Sequence, residues 1–399
     1  MLPAEAAELR RLTDAIRGVF DTFGYGEVRT PTLELETVME TAGEQRFRRS
    51  FRLFDERGEV LMLRPEMTTP IARLAATKLA DREPPFRLCY FANSFRPTAP
   101  QRGRRSEFRQ AGLELIGEDS PAADAEALAV LCRSLDVCGL DSYAIGLGEA
   151  SFFTALLDSA GVDPGSRAAI LKALVGRDMV ELAAAVGALD LPDDDRENIL
   201  AVTALRGGSE VLTRARDYVR GERMEEALRR LARTYYLVSR YGYGDRIIFD
   251  LGMFRNFDYY TGIVFEVYGG GLGFPLGGGG RYDGLLARFG RSAPAVGFAI
   301  GLDRLHIAAG DGAAAAPART AVLVGGMDEH LDLAVELRDK GLRIFSLPAA
   351  ADEAAARRAA GENGIGRAVV PAGNGFILLD ALGETGRYSR AELIRELAD

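Results

Sequence analysis

The chain has 399 residues, a length that accommodates two or three domains, each burying its own core. At 47% hydrophobic and 27% charged, with no apolar run near the ~18 residues of a membrane span, it has the composition of a globular protein rather than a disordered or membrane-crossing one. A formal net charge of −9 argues against nucleic-acid binding through a broad basic face and leaves Arg102, Arg104 and Arg105 as a local cluster suited to phosphate.

The first residues, MLPAEAAELRRL, read as a charged amphipathic helix and not as a signal peptide, so a cytoplasmic location is expected. From Pro3 to Phe23 the apolar positions Leu9, Leu12, Ile16, Val19 and Phe20 recur at helical spacing, and Gly24 supplies the stop. EVRTPTLE follows, with Pro31 in what reads as an edge or interface strand. FRLFDERGEVLMLRPEM predicts a hairpin ending at Pro65. That places Glu66, Met67 and Thr68 at a strand-to-helix junction, where a threonine commonly caps and where pocket residues also occur. FRLCYFANSFRPTAPQRGRRSEFRQAGLELIG predicts a second hairpin whose returning strand puts Gln110, Gly112 and Glu114 on one face. Alternation alone leaves that face open to either a cavity or solvent.

A helix is expected from Ser120 to Cys138 and a strand over LDSYAIGLGEA. From about Ser151 to Asp245 the chain becomes rich in Ala, Leu and Arg with helical periodicity, which predicts a helical insertion. DGAAAAPA, at 311–318, reads as a linker, and the alternating strand and helix patterns beyond it predict a small α/β domain. Cys89, Cys132 and Cys138 are odd in number and lie in apolar surroundings, so they are expected to be reduced core residues. With no CxxC pair and with His306 and His330 far apart, neither a metal site nor a histidine general base is expected.

The most informative stretch runs from Asp250 to Arg304. An aromatic and β-branched run from Tyr259 to Tyr268 reads as a strand, followed by clustered glycines including Gly277 to Gly280, then Arg281 and Tyr282. Consecutive glycines are entropically costly, so the backbone there is expected to approach something closely or to adopt positive φ. AVGFAIGLDRLHIA opens as a small-residue strand and turns helical at Leu302, which puts Arg304 on the first helical turn facing back over the sheet. An arginine before the tyrosine pair, a glycine floor and a second arginine after it suit an anion and amino-acid pocket. A glycine-rich hairpin in an ordinary sheet would share each feature singly.

LRPEMTTPIAR, SFRPTAPQRGRRSEFRQAGLELIG, RNFDYYTGIVFE, GGGGRYDGL and AVGFAIGLDRL occur in that order over roughly the first 310 residues, and together they resemble the class II core of histidyl-tRNA synthetase. The resemblance implies an α/β (α+β) fold: an antiparallel sheet flanked by helices, dimerising near Pro31, with a histidine pocket on the sheet. It divides the chain into a class II synthetase-like core at 1–150 and 246–310, a helical insertion at 151–245 and a small C-terminal α/β domain at 319–399.

Position by position, the resemblance implies that Glu66, Thr68 and Gln110 hold an α-amino group. It assigns Glu114 and Tyr260, with Tyr259 beside it, to the imidazole. Arg96, Arg255 and Arg304 match the family's arginines, and Arg104, Tyr282 and Arg304 are further pocket or anion contacts. Carboxylates and an amide suit an ammonium, and guanidinium groups suit a carboxylate.

The second motif departs from the family. Where the synthetase pattern has glutamate and arginine this chain has Thr98 and Ala99, and where it has arginine and glutamine the chain has Ser106 and Glu107. Glu107 beside a triphosphate would repel it, so adenylation is not expected. The short C-terminal segment without an evident basic surface resembles instead the synthetase-like regulatory subunits of ATP phosphoribosyltransferase. That resemblance implies a non-catalytic, histidine-binding allosteric chain of histidine biosynthesis without cofactors. Its partner would be a short-form catalytic subunit, with this chain a homodimer inside a hetero-octamer and tRNA not expected to bind. The alternatives are a histidyl-tRNA synthetase with a divergent second motif and a paralogue that senses histidine elsewhere.

Overall fold

The computed structural model describes residues 2–43, 50–98, 106–254, 260–310, 321–324, 327–346, 352–362, 365–380 and 383–398. The chain divides into two compact units, Met1–Ala314 and Ala315–Asp399.

The first unit begins with α1 (Pro3–Thr22), β1 (Gly26–Glu27), β2 (Leu33–Leu35), α2 (Glu36–Thr41), β3 (Arg52–Phe54), β4 (Val60–Leu63) and α3 (Thr68–Lys78). The hairpin β5 (Phe86–Phe95) and β6 (Glu107–Ile116) follows, then α4 (Pro121–Asp136) and β7 (Tyr143–Glu149). The helices α5 (Ala150–Ser159), α6 (Pro164–Gly176), α7 (Met179–Gly187), α8 (Asp193–Thr203), α9 (Glu210–Arg214) and α10 (Glu222–Arg240) fill most of the next stretch, interrupted by β8 (Arg206–Gly207). The unit closes with β9 (Ile247–Asp250), β10 (Ile263–Gly269), β11 (Gly277–Arg281), β12 (Ala295–Gly301) and α11 (Leu302–Ala309).

Its main sheet has nine strands in the order β1-β5-β6-β12-β11-β10-β7-β9-β8. The stretch from β5 to β7 is antiparallel throughout, while β1 joins β5 and β9 joins β7 in parallel. Pro31 lies in neither neighbouring strand. The expected edge strand is split around it into β1, on the main sheet, and β2, in a separate sheet of order β2-β4-β3. Buried Arg64 fixes the break: its Nε donates to Asn93 O at 2.9 Å and its Nη1 to Thr30 O at 2.8 Å and Pro31 O at 3.1 Å. A proline lacks the donor that a central strand needs, so a side chain satisfies the carbonyls instead.

Strand alternation gives the main sheet two unlike faces. One presents Phe91, Leu113, Leu115, Leu147, Phe265, Val296 and Phe298, which merge with α1, α4, α5 and α10 into one core. Phe20 of α1 packs its ring within 5.7 Å of Phe91 and 6.1 Å of Phe298, and burying such a side chain stabilises by about 2 kcal/mol. Gly24, at φ +78°, stops α1 as its position predicted. The other face carries the candidate site.

In the second unit β13 (Ala321–Val324), α12 (Met327–Asp339), β14 (Arg343–Ser346), α13 (Glu353–Glu362), β15 (Arg367–Ala372), β16 (Gly375–Leu379), β17 (Glu384–Tyr388) and α14 (Arg390–Ala398) form a sheet of order β14-β13-β15-β16-β17. β13 pairs in parallel with β14 and β15, and the last three strands are antiparallel. The final strand and helix lie past the last predicted element.

Candidate functional site

On the second face the register aligns small residues across three strands. Gly297 faces Glu114 and Gly280, Ala299 faces Gly112 and Gly278, and Gly301 faces Gln110. The floor needs these glycines for room. A Cβ on Gly297 would stand 1.8 Å from Glu114 Oε2 and 2.4 Å from Leu113 O. One on Gly280 would lie 2.7 Å from the Tyr260 ring, and one on Gly112 would lie 2.4 Å from Tyr90 Oη. The polar side chains therefore lie flat over bare backbone, which accounts for Gly280 of the glycine run; Gly279 faces the other side, where a Cβ would stand 2.0 Å from Gly297 O and 2.8 Å from Phe298 Cβ.

Glu114 is the hub, with 1% of its surface exposed. Thr68 Oγ1 donates to its Oε1 at 2.9 Å and the Tyr282 hydroxyl donates to Oε2. Burial pushes its carboxyl up to about 8, opposed by those two hydrogen bonds and assisted by the nearby charge of Glu66. Burial thus favours the neutral form of this carboxyl. Burial also holds the Tyr90 hydroxyl well above its ordinary value.

Glu66 is buried at the start of α3 and accepts from the backbone N–H of Thr68 at 2.6 Å and of Thr69 at 2.9 Å. It, rather than the threonine, caps the helix, setting a carboxylate against the helix N-terminus. A carboxylate has about four acceptor sites, so Glu66 retains capacity for a ligand. Gln110 accepts from the Ser94 hydroxyl at 3.0 Å on the same face. Arg96 donates from Nε to Pro65 O at 2.9 Å, tying the second-motif arginine to the residue before Glu66. Arg304 folds back so that its Cδ would lie 3.4 Å from a Cβ on Gly301. Its Nη1 donates to Pro275 O at 2.5 Å, and its guanidinium sits 5.0 Å from the Phe274 ring centre.

Structure thus brings Glu66, Thr68, Gln110, Glu114, Tyr260 and Tyr282 to one face and sets Arg96 and Arg304 near its ends. Arg104, Arg255 and Tyr259 lie outside the described residues, as do Arg102, Arg105 and Ala99. Tyr260 precedes the strand expected to hold it, since β10 starts at Ile263. Glu107 requires a correction. Three residues from Gln110 on a strand, it points to the opposite face, where Asn93 Nδ2 donates to it at 2.6 Å, so it does not oppose a nucleotide on the glycine floor. Thr98 and Ser106 pair their hydroxyl oxygens at 3.3 Å, a neutral contact where the synthetase pattern has charged groups. Sequence reading missed Tyr90 and Ser94, whose only signal was their parity with Gln110 and Glu114 across the hairpin.

The cysteines are buried and unpaired, and burial raises all three thiols. Among the described residues no cluster of His, Cys, Asp or Glu is arranged to hold a metal, and no helix is long and apolar enough to cross a membrane.

An antiparallel sheet with a small-residue floor, a carboxylate-capped helix beside it and an arginine on the helix after the last strand define a class II synthetase-like core. The family model described as histidyl-tRNA synthetase matches residues 1–305. Similar curated proteins are named ATP phosphoribosyltransferase regulatory subunit. That of Moorella thermoacetica is 43% identical over 90% of this chain and 94% of its own length, and that of Symbiobacterium thermophilum is 41% identical over 86% and 88%. A Bacillus halodurans crystal structure described as an ATP phosphoribosyltransferase regulatory subunit/histidyl-tRNA synthetase superposes with TM-score 0.80 at 31% identity, covering 90% of this chain and 93% of that one. A Nostoc histidyl-tRNA synthetase shares the fold, with TM-score 0.84 at 22% identity over 100% of this chain and 96% of its own. The chain belongs to the synthetase-like family of ATP phosphoribosyltransferase regulatory subunits.

Proposed function

We propose that this chain is a non-catalytic histidine sensor that binds a short-form ATP phosphoribosyltransferase catalytic subunit in the cytoplasm and confers feedback inhibition on it. The observation that carries the reading is the Thr68–Glu114–Tyr282 cluster on the glycine floor. It offers a buried carboxyl to an imidazole edge, with Glu66 and Gln110 beside it for an ammonium. Arg255, Tyr259 and Tyr260 complete the pocket by family position. Histidine inhibits only if it binds the suppressed arrangement more tightly, and a tenfold preference corresponds to ~1.4 kcal/mol. Mixing the purified chain with a short-form catalytic subunit tests this: phosphoribosyl transfer to ATP should appear with the chain present and fall as histidine is added. Transfer unaffected by the chain contradicts the reading.

Retention of Arg96 and Arg304, with Glu107 turned away from the floor, favours a second reading as a histidyl-tRNA synthetase with a divergent second motif. Histidine-dependent ATP–pyrophosphate exchange by the chain alone would establish it, and the sensor reading expects none.

The small sheet supports self-association into the homodimer proposed within the hetero-octamer. Leu33, Leu35 and Leu53 are exposed together on one of its faces, while Glu34 turns to the other, inward to Arg73 Nη2 at 2.8 Å. Adjacent apolar side chains left in water mark a contact surface. Leu53→Asp is expected to weaken the dimer by about tenfold or more, since losing one buried apolar anchor commonly exceeds ~1 kcal/mol at an interface. Sedimentation velocity over a dilution series would show the shift to monomer, and an unchanged profile would move the interface elsewhere.

A further inference from the structure

We propose that a cavity on the helix-covered face, apart from the Glu114 pocket, is a second small-molecule site for a basic amino acid such as arginine. The cavity has a volume of about 440 Å³, within the range of small-ligand sites, and opens between the end of the sheet and the N-terminal half of α10. Glu149, the last residue of β7, stands on the opposite face from Gly148, whose strand partner Val264 pairs with Gly280 of the floor. The two sites therefore lie on opposite sides of one sheet.

Two groups of opposite polarity meet at this cavity. Glu149 is 1% exposed; its Oε1 accepts from the Ser151 hydroxyl at 2.6 Å, while its buried Oε2 has no hydrogen-bond partner among the described residues. Arg230 of α10 directs Nε to Asp124 Oδ2 at 2.9 Å and Nη1 to Asp119 Oδ1 at 2.6 Å, while its Nη2 is likewise buried and unpartnered. Buried acceptors and donors in folded proteins are nearly always paired, so an orphan of each kind lining one cavity marks a site built for a ligand bearing both groups. An ammonium suits the Glu149 oxygen and a carboxylate suits the Arg230 donor. The lining carboxylates Asp119, Glu149, Glu222, Glu226 and Asp283 outnumber the three lining guanidinium groups, which favours a ligand with an additional positive charge.

The test is calorimetric titration of the full chain with L-arginine in the presence of saturating histidine, so that the Glu114 pocket is occupied whether or not it acts as a sensor. Saturable binding is expected, weakened by about tenfold or more in Glu149→Gln, and weaker for agmatine, which lacks the carboxylate. Glu222→Gln, an exposed substitution at the cavity mouth that spares the fold, should weaken arginine binding by a smaller factor. Absence of saturable binding, equal binding by the wild type and both variants, or displacement of arginine by histidine overturns the proposal.

Discussion

Glu114→Ala is expected to abolish histidine inhibition of the reconstituted phosphoribosyltransferase while leaving activation by this chain in place. The substitution removes an acceptor shared by the Thr68 and Tyr282 hydroxyls and opens space above Gly297. Loss of a charge-assisted contact with the ligand costs on the order of 2–3 kcal/mol, or roughly a hundredfold in the inhibitory histidine concentration. Glu114→Gln keeps shape and hydrogen-bonding capacity but cannot ionise, so it separates the charge from the packing. Titration of transfer rate against histidine, with each variant, reads both outcomes. The same residue sets a pH dependence. Its carboxyl is held at about 8 in the folded chain against an ordinary value of 4.5, so folding takes up a proton between those values. The resulting stability is fully present below the unfolded value and is lost as pH rises through 8. Urea titrations of the unliganded protein should show a pH slope that Glu114→Gln reduces by at most ~1.4 kcal/mol per unit.

Arg281→Met is expected to destabilise the first unit by about 3–5 kcal/mol, the usual cost of stranding one charge of a buried pair. Arg281 is fully enclosed. Its Nη2 lies 2.6 Å from Asp124 Oδ1, Nη1 donates to Asp283 Oδ1 at 3.0 Å and Nη2 donates to Glu118 O at 3.1 Å. The substitution leaves Asp124, itself wholly buried, facing Arg230 alone. Asp124→Leu in the same chain removes the stranded carboxylate and is expected to recover part of the loss. Chemical unfolding of the two single variants and the double variant measures the coupling. A double variant as unstable as the sum of the singles would show that the pair is not coupled.

How far the sequence could be read depended on whether a feature is local. The α1 stripe, both hairpins and the entry to α11 follow from spacing and punctuation within a few residues, and they stand where the patterns put them. The face shared by Gln110, Gly112 and Glu114 was also legible, because a period of two is read directly from a strand. Which side of that strand carries a cavity was not, since that depends on β12 and β11 bringing Gly297 and Gly280 alongside from more than 150 residues away. The same parity places Glu107 on the far side from Glu114, and judging it by its motif position alone led to the wrong neighbour. Arg281 and Tyr282 looked like one motif in sequence. As adjacent residues at a strand end they face opposite ways, one into a buried ion network and the other onto Glu114. Glu149 and Arg230 carried no signal, because helices α5 to α9 separate them in the chain and only the packing of α10 over β7 brings them to one cavity.

Histidine titrated calorimetrically into the wild-type chain alone tests the sensor reading most directly. Saturable binding at one site per chain, absent in Glu114→Ala, is the predicted result. No binding by the wild type, or equal binding by the variant, would contradict the placement of histidine on the glycine floor.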